Sequence, residues 1–275
     1  MNQEDVARYY ASFGEREWQR LEAPSIGAIE LAVTLHLLES HLPKDGFILD
    51  LGGGPGRYTI WLAQRGFRVV LADLSQDMLS IAQAKISEHQ VDDQVEAVLQ
   101  ADARELNEWS DSTFDAVLAL GPYYHLPEEK DRQRATQEIL RVLRPNGRVF
   151  IALMPRYAFL RRTLYLSDER EHLLDDQWTR KLLEDGWFEN DIPGRFNHGY
   201  GVDPQQVEPF FEGFGFKTVG LFSLDALTAG LESVVMEIAE ENPELYNVAL
   251  DLIKASAGDP SLLGMALHIL YVGQK

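Results

Sequence analysis

The chain has 275 residues, 45% of them apolar, a formal net charge of −19 and no cysteine. Its apolar content suffices for a substantial core and excludes a disordered chain, while the missing cysteine excludes disulfides, thiolate metal sites and a cysteine nucleophile. The acidic balance, present in both halves, opposes nucleic acid and anionic lipid as main partners; the longest uncharged apolar stretch, 116–127, is shorter than the ~20 residues of a membrane span, and the acidic start MNQEDVARYY lacks the basic and then apolar pattern of a secretory leader, so the expected location is cytoplasmic.

In chain order, residues 1–42 predict an N-terminal helical cap, with two helices before the first strand. Short Val-, Ile-, Leu- and Phe-rich runs then alternate with helical stretches. FILDL (47–51), RVVLADL (68–74), VEAVLQAD (95–102), FDAVLALG (114–121) and GRVFIALM (147–154) read as strands, with helices at about 56–65, 76–89 and 128–143 between them. The last of these ends in LRPNG, where Pro145 and Gly147 stop it. That alternation predicts a doubly wound α/β plan with helices on both faces of a mostly parallel sheet, and places its core in 43–155. Residues 156–202 hold RYAFLRRTLYL and DDQWTRKLLEDGWF in predicted helices and no convincing strand, which reads as a helical lid inserted after strand five. Residues 203–275 complete the sheet: a helix at 203–213, a strand at 216–224, an acidic helical region at 230–255 and a final strand, ALHILYVGQ (266–274). The whole reads as one domain.

The turn after the first strand, DLGGGPG (50–56), carries the sharpest signal. In open α/β sheets ligands bind beyond the carboxyl ends of the strands, and Gly52, Gly54 and Gly56 let a ligand approach the backbone where a Cβ would block it. Asp50 opposes a nucleotide pyrophosphate but can accept from an ammonium, favouring a cationic ligand. The dinucleotide fingerprint G-x-G-x-x-G fails, because the sixth position from Gly52 is Arg57. Asp73 ends the second strand at the distance from the glycines where an acid meets ribose hydroxyls.

The pattern D-x-G-x-G-x-G, followed by LADLS, QADARELN, FDAVLALGPYYHL and ILRVLRPNGRVFIA, resembles the class I S-adenosylmethionine-dependent methyltransferases. The resemblance is strong over about 46–155 and looser over the last two strands. It implies a seven-stranded sheet with an antiparallel last strand, and S-adenosyl-L-methionine as cofactor. It assigns Asp73 to both ribose hydroxyls, Met78 to packing on the adenine, and Asp102 and Ala103 to the adenine amino group and ring. It also implies cofactor contacts from Leu120 and from Tyr10, the latter in a helix that covers the cofactor. In that fold the end of strand four lies next to the transferable methyl, which makes His125 the candidate general base and Tyr124 its catalytic neighbour; Tyr123 lines the same pocket or packs the loop. The segment departs from D/N-P-P-Y/F at Gly121 and Tyr123, against a nucleobase-amine acceptor.

GRFNHGYG (194–201) offers His198 and Tyr200 on a glycine-flanked loop, as an acceptor contact or a surface loop. Histidine spacing suggests no metal site. The expectation is methyl transfer by in-line displacement to an oxygen or nitrogen nucleophile of a small molecule. The alternatives are a methyltransferase acting on RNA or protein and a non-catalytic cofactor-binding module; a nicotinamide oxidoreductase is disfavoured by Arg57. Acceptor and oligomeric state are not legible.

Overall fold

The computed structural model describes residues 9–10, 13–22, 26–192 and 195–275. The first eight residues of the predicted N-terminal cap, and Gly194 of the predicted acceptor loop, lie outside them. Helices α1 (Glu15–Gln19) and α2 (Ile26–His41) precede strand β1 (Phe47–Leu51). The alternating core follows as α3 (Arg57–Ala63), β2 (Arg68–Asp73), α4 (Gln76–Glu88), β3 (Val95–Gln100), β4 (Phe114–Ala119), α5 (Glu129–Val142) and β5 (Leu143–Pro155).

β1, β2, β4 and β5 are near-continuous apolar runs because helices cover both faces of the sheet. Side chains alternate across it: Leu49 joins Val70, Val117, Ile139 and Tyr271 on one face, whereas Ile48 joins Val33, Leu38, Trp61 and Phe150 on the other. On α5 the buried residues Arg132, Ala135, Thr136, Ile139 and Val142 recur at helical spacing, forming the stripe that docks it on the sheet.

The order is β3-β2-β1-β4-β5, all parallel, with β1 lying between β2 and β4. After β5 come α6 (Arg156–Tyr165), α7 (Asp176–Arg180), β6 (Trp187–Glu189), β7 (His198–Val202), α8 (Pro204–Gly213), β8 (Lys217–Ser223), α9 (Glu232–Glu241), α10 (Pro243–Ser256) and β9 (Ile269–Gln274). β9 runs antiparallel between β5 and β8, with Tyr271 opposite both Ile151 and Leu221. The antiparallel last strand is therefore as expected. Among the described residues no helix is long and apolar enough to cross a membrane.

The segment after β5 corrects the reading of a purely helical insert and a seven-stranded sheet. β6 and β7 form an antiparallel pair with Phe188 opposite Gly199, and β7 extends the sheet beside the end of β5, Met154 opposite Gly201, making nine strands among the described residues. The helical pattern of DDQWTRKLLEDGWF breaks at Gly186, whose φ of 72° ends the helical turns and reverses the chain. Tyr200 and His198, expected on a loop, lie in β7. Phe159 and Phe188 stack with centroids 4.6 Å apart, Phe196 packs on both, and together with Trp178 and Leu182 they form a separate apolar cluster that holds the pair in place.

Gly186 and Gly201 are in mutual contact: Gly201 N–H donates to the Gly186 carbonyl at 2.6 Å, and a Cβ on Gly186 would overlap the Gly201 carbonyl oxygen. Gly186→Ala is thus expected to destabilise the protein by about 2–4 kcal/mol, read as a lowered urea midpoint; an unchanged midpoint would contradict the packing described for β6 and β7.

Candidate functional site

β1 lies where the strand connections change direction, with β2 on one side and β4 on the other, and this is where open α/β sheets place a crevice. The crevice is a cavity of about 1440 Å³ including its mouth. Its floor is the turn after β1. Gly52 and Gly54 both have positive φ, 71° and 53°. A Cβ on Gly52 would strike Pro122 at 2.8 Å, whereas one on Gly54 would meet nothing within 4 Å and would project into the space left for a ligand. The turn is fixed by Gly52 N–H to Ala72 O at 2.7 Å and Gly54 N–H to Asp73 Oδ2 at 2.8 Å.

The glycine assignments need one correction and one addition. Gly56 is not part of the cavity wall; it caps α3 at φ 86°, and a Cβ there would press within 3.3 Å of Ala82 and Leu71, so its bareness serves helix packing. Gly53 lines the cavity and is required bare, since its Cβ would sit 2.7 Å from Asp50 Oδ2.

Asp50, Asp73 and Asp102 all line the cavity. Asp50 is 1% exposed, and its Oδ2 accepts from Thr59 Oγ1 at 2.7 Å. Burial, only partly offset by Thr59 and reinforced by the charge of Asp73, raises its carboxyl to about 6. Asp73 takes Gly54 N–H on one oxygen and Ser75 N–H on the other, both at 2.8 Å. Burial outweighs these bonds and raises it as well. Each Asp73 oxygen retains acceptor capacity toward a ligand. Met78 is 1% exposed at the first turn of α4, which Ser75 caps. Ala103 and Leu120 complete the predicted cofactor wall.

Tyr10, Tyr124 and His125 meet at another wall of the same cavity. The Tyr10 hydroxyl and His125 Nε2 are 2.8 Å apart, and the His125 ring lies between Tyr124 (4.8 Å) and Phe196 (5.0 Å). Its Nδ1 is enclosed and has no hydrogen-bond partner among the described residues. Burial pushes His125 down to about 3, so it is neutral at neutral pH, and burial likewise raises the Tyr124 phenol. Tyr123 points away into the core, fully buried and bonded to Thr136 Oγ1 at 2.8 Å. Tyr200 stacks under the Arg132 guanidinium at 3.5 Å, outside the cavity wall, as is His198.

Sequence reasoning missed the charged end of the cavity, lined by Glu17, Arg20, Glu30 and Thr34. Arg20 bonds Glu30 at 2.9 Å and Glu17 at 3.0 Å, and His268 Nδ1 stands 3.5 Å from both Glu30 and Asp225. Against its burial, Glu30 and Asp225 raise His268; likewise His268 and Arg20 hold Glu30 below the usual carboxylate range. No motif spacing marks these groups: Glu17, Arg20, Glu30 and Thr34 lie on or beside the first two helices, and Asp225 and His268 join them from the far end of the chain. Arg57, noted only as a mismatch, fastens the N-terminal segment: its guanidinium lies 3.6 Å over the Trp18 ring and donates to the Trp18 carbonyl at 2.9 Å.

These residues fit S-adenosylmethionine: a turn that leaves room for the ligand, and buried carboxylates suited to a cationic molecule with ribose hydroxyls. Residues 48–147 match a family model described as a methyltransferase domain. A glycine/sarcosine N-methyltransferase from Parasynechococcus marenigrum is 36% identical over 141 residues, 50% of this chain and 48% of that protein. A ubiquinone/menaquinone biosynthesis C-methyltransferase from Idiomarina loihiensis is 38% identical over 108 residues, 38% of this chain and 41% of that protein. The alignments thus span less than half the length of each of these curated relatives. A SAM-dependent methyltransferase structure from Methanosarcina mazei shares the fold, with TM-score 0.59 and 18% identity over 87% of this chain and 96% of that one. With the strand order, the glycine turn and the matched segment taken together, residues 48–147 are similar in sequence and in fold to a methyltransferase domain.

Proposed function

We propose that the protein is an S-adenosylmethionine-dependent methyltransferase that transfers the methyl group, by in-line displacement, to an oxygen or nitrogen nucleophile of a small molecule. The observation that carries this is the pair of carboxylates, buried Asp50 and half-buried Asp73, set around the bare turn at Gly54, an arrangement suited to a cation. When bound there, the cofactor supplies an electrophilic methyl on a sulfonium with a neutral leaving group. The protein contributes position: Asp50 accepts from the ammonium, Asp73 from the ribose hydroxyls, and Met78, Asp102, Ala103 and Leu120 hold the adenosyl half. The net charge of −19 supports a small acceptor over RNA. Polar walls of Glu17, Arg20, Glu30 and Thr34 support a heteroatom nucleophile, for which the N-methyltransferase relative is a precedent.

His125 takes its place through Tyr10. Both groups line the cavity, and with Nε2 on the Tyr10 hydroxyl the phenol and the imidazole form one path for a proton leaving the acceptor. The lid role of 156–202 belongs to the same proposal, since Phe196 from this segment packs directly on His125.

Thermal melting tests the cofactor reading: S-adenosylmethionine at 100 times its Kd is expected to add about 2.7 kcal/mol of stability and NAD none; stabilisation by NAD alone overturns it. Asp50 gives a pH signature. Its folded carboxyl, near 6, binds a proton more tightly than the unfolded one at 3.8, so the unliganded protein loses stability as pH climbs from about 4 to about 6. Cofactor affinity should rise over the same window, because the ionised form accepts the ammonium. Asp50→Asn is then expected to stabilise the unliganded protein at pH 8, by up to about 3 kcal/mol, while abolishing the cofactor-induced shift in Tm. For the proton path, Tyr10→Phe and His125→Asn should each lower turnover about 100-fold, with the double variant no worse than either. Additive losses, measured as thioether released across amine and hydroxyl acceptors, would separate the two residues.

A further inference from the structure

Arg132, in the first turns of α5, is only 9% exposed, and among the described residues no carboxylate bonds its side chain. Burial lowers its guanidinium, against the pull of Tyr200, Glu129, Glu128 and Asp131. A buried cation without a paired anion is costly, so what it does bond is informative. Its Nη1 donates to two successive carbonyls, Leu126 at 2.7 Å and Pro127 at 2.6 Å. Its flat face lies 3.5 Å from the centre of the Tyr200 ring on β7.

Both contacts converge on one wall of the cavity. Leu126 and Pro127 close the loop between β4 and α5, which carries Tyr124 and His125, and all four residues line the cavity. The loop turns tightly, with His125 N–H on the Pro122 carbonyl at 3.0 Å and Leu126 N–H on the Tyr123 carbonyl at 3.1 Å. Its inner end is anchored separately: the Tyr123 hydroxyl lies 2.8 Å from Thr136 Oγ1, which donates to the Arg132 carbonyl at 2.7 Å. From the other side, β7 follows directly on Phe196, whose ring packs on His125 at 5.0 Å and on Tyr124 at 6.5 Å. Arg132 itself is absent from the cavity wall.

We propose that Arg132 is a positioning residue for methyl transfer: it joins the β4–α5 loop and β7 to one helix, and so holds Tyr124 and His125 where the acceptor is met. The inference rests on the proton path described above. The residue type fits the task. The two N–H groups of one guanidinium nitrogen diverge, so each takes a carbonyl, while the planar group offers its face to an aromatic ring. A lysine ammonium can donate to both carbonyls but has no face to stack, and a methionine fills the volume of the stem with neither donor nor charge. Because Tyr123 stays anchored when Arg132 is replaced, the loop loosens at its outer end and the core survives. His125, otherwise enclosed by Tyr10, Tyr124 and Phe196, then gains access to water and is easier to protonate.

Two readouts test this in Arg132→Met, Arg132→Lys and Tyr200→Leu, each checked for a cooperative melt. The first is nitrogen-15 NMR of histidine-labelled protein, with the His125 ring assigned by its loss in His125→Asn. The wild-type ring is expected to stay neutral down to about pH 5, whereas in Arg132→Met it should titrate near about 6.5, the ordinary histidine value. This readout needs no acceptor and decides by itself whether Arg132 places the ring. The second is turnover of S-adenosylmethionine with amine and hydroxyl acceptors, expected to fall about tenfold in Arg132→Met, with calorimetric affinity for S-adenosylhomocysteine unchanged. Arg132→Lys should recover part of both, and Tyr200→Leu, which keeps the two donors, should move both in the direction of Arg132→Met but less far. A lowered Tm in Arg132→Met with titration and turnover unchanged makes Arg132 a purely structural residue and overturns the proposal. So does turnover lost while the imidazole titration stays put, since the loss would not pass through His125. Should Arg132→Met not melt cooperatively, wild-type titration in both Arg132→Lys and Tyr200→Leu overturns it as well. Full activity in His125→Asn overturns the proton path and the catalytic claim for Arg132 together, and the cofactor reading stands.

Discussion

Three carboxylates from neighbouring strand tips, Asp50, Asp73 and Asp102, share one cavity, and the surrounding structure is organised to hold that negative charge. Burial and mutual repulsion work against it, which is why Asp50 is raised to about 6. What keeps it in place is a set of short-range donors: Thr59 on Asp50, the Gly54 and Ser75 amides on Asp73, and Arg104 on Asp102. On Asp50 and Asp73 those donors satisfy some lone pairs and leave others for a ligand. A site built this way is costly without a cation and well matched to one, because a bound ammonium or sulfonium offsets the desolvation that the protein alone bears.

The cavity walls differ in how they are held. The floor is the turn after β1, fixed by its bonds to Ala72 and Asp73 of β2 and by the sheet from which it emerges. The opposite wall is contributed by the N-terminal segment, fastened through side chains: Tyr10 to His125, Arg57 to Trp18 and Arg20 to Glu30. Polar contacts of this kind each contribute about 1 kcal/mol, less where solvent reaches them, whereas opening the sheet would expose most of the core. The strand pair β6–β7 adds an aromatic cluster behind His125, and that apolar surrounding is the reason the imidazole stays neutral.

Most of the core was readable because its signals are local. β1 spans the five residues FILDL that the apolar run marks, and α4 and α5 begin and end within one residue of the periodic pattern, since caps and turn formers act over three or four positions. The fold family followed from a glycine turn and acids at fixed strand ends. Other features resisted because their causes are not local. β6 and β7 are only three and five residues long, too short for periodicity, and they pair because Gly186 and Gly201 permit a close backbone approach. Gly56 was misassigned for the same reason: whether a bare residue faces a ligand or a helix depends on what packs against it.

What the letters determined by themselves was the α/β alternation and the D-x-G-x-G-x-G turn with Asp50 and Asp73 near it, because strand and turn chemistry is set by residues a few positions apart; Met78, Asp102 and Tyr10 were expected beside them only through the family resemblance. What only the tertiary structure decided was how those groups are used. Arg20 and Glu30 meet His268 across more than two hundred residues, His125 bonds Tyr10 across the cavity wall, and Arg104 grips Asp102 while bonding Asp131 on a helix beyond the next strand. Such contacts depend on the angle and distance at which whole elements pack, which the core as a unit sets and no short stretch of sequence encodes.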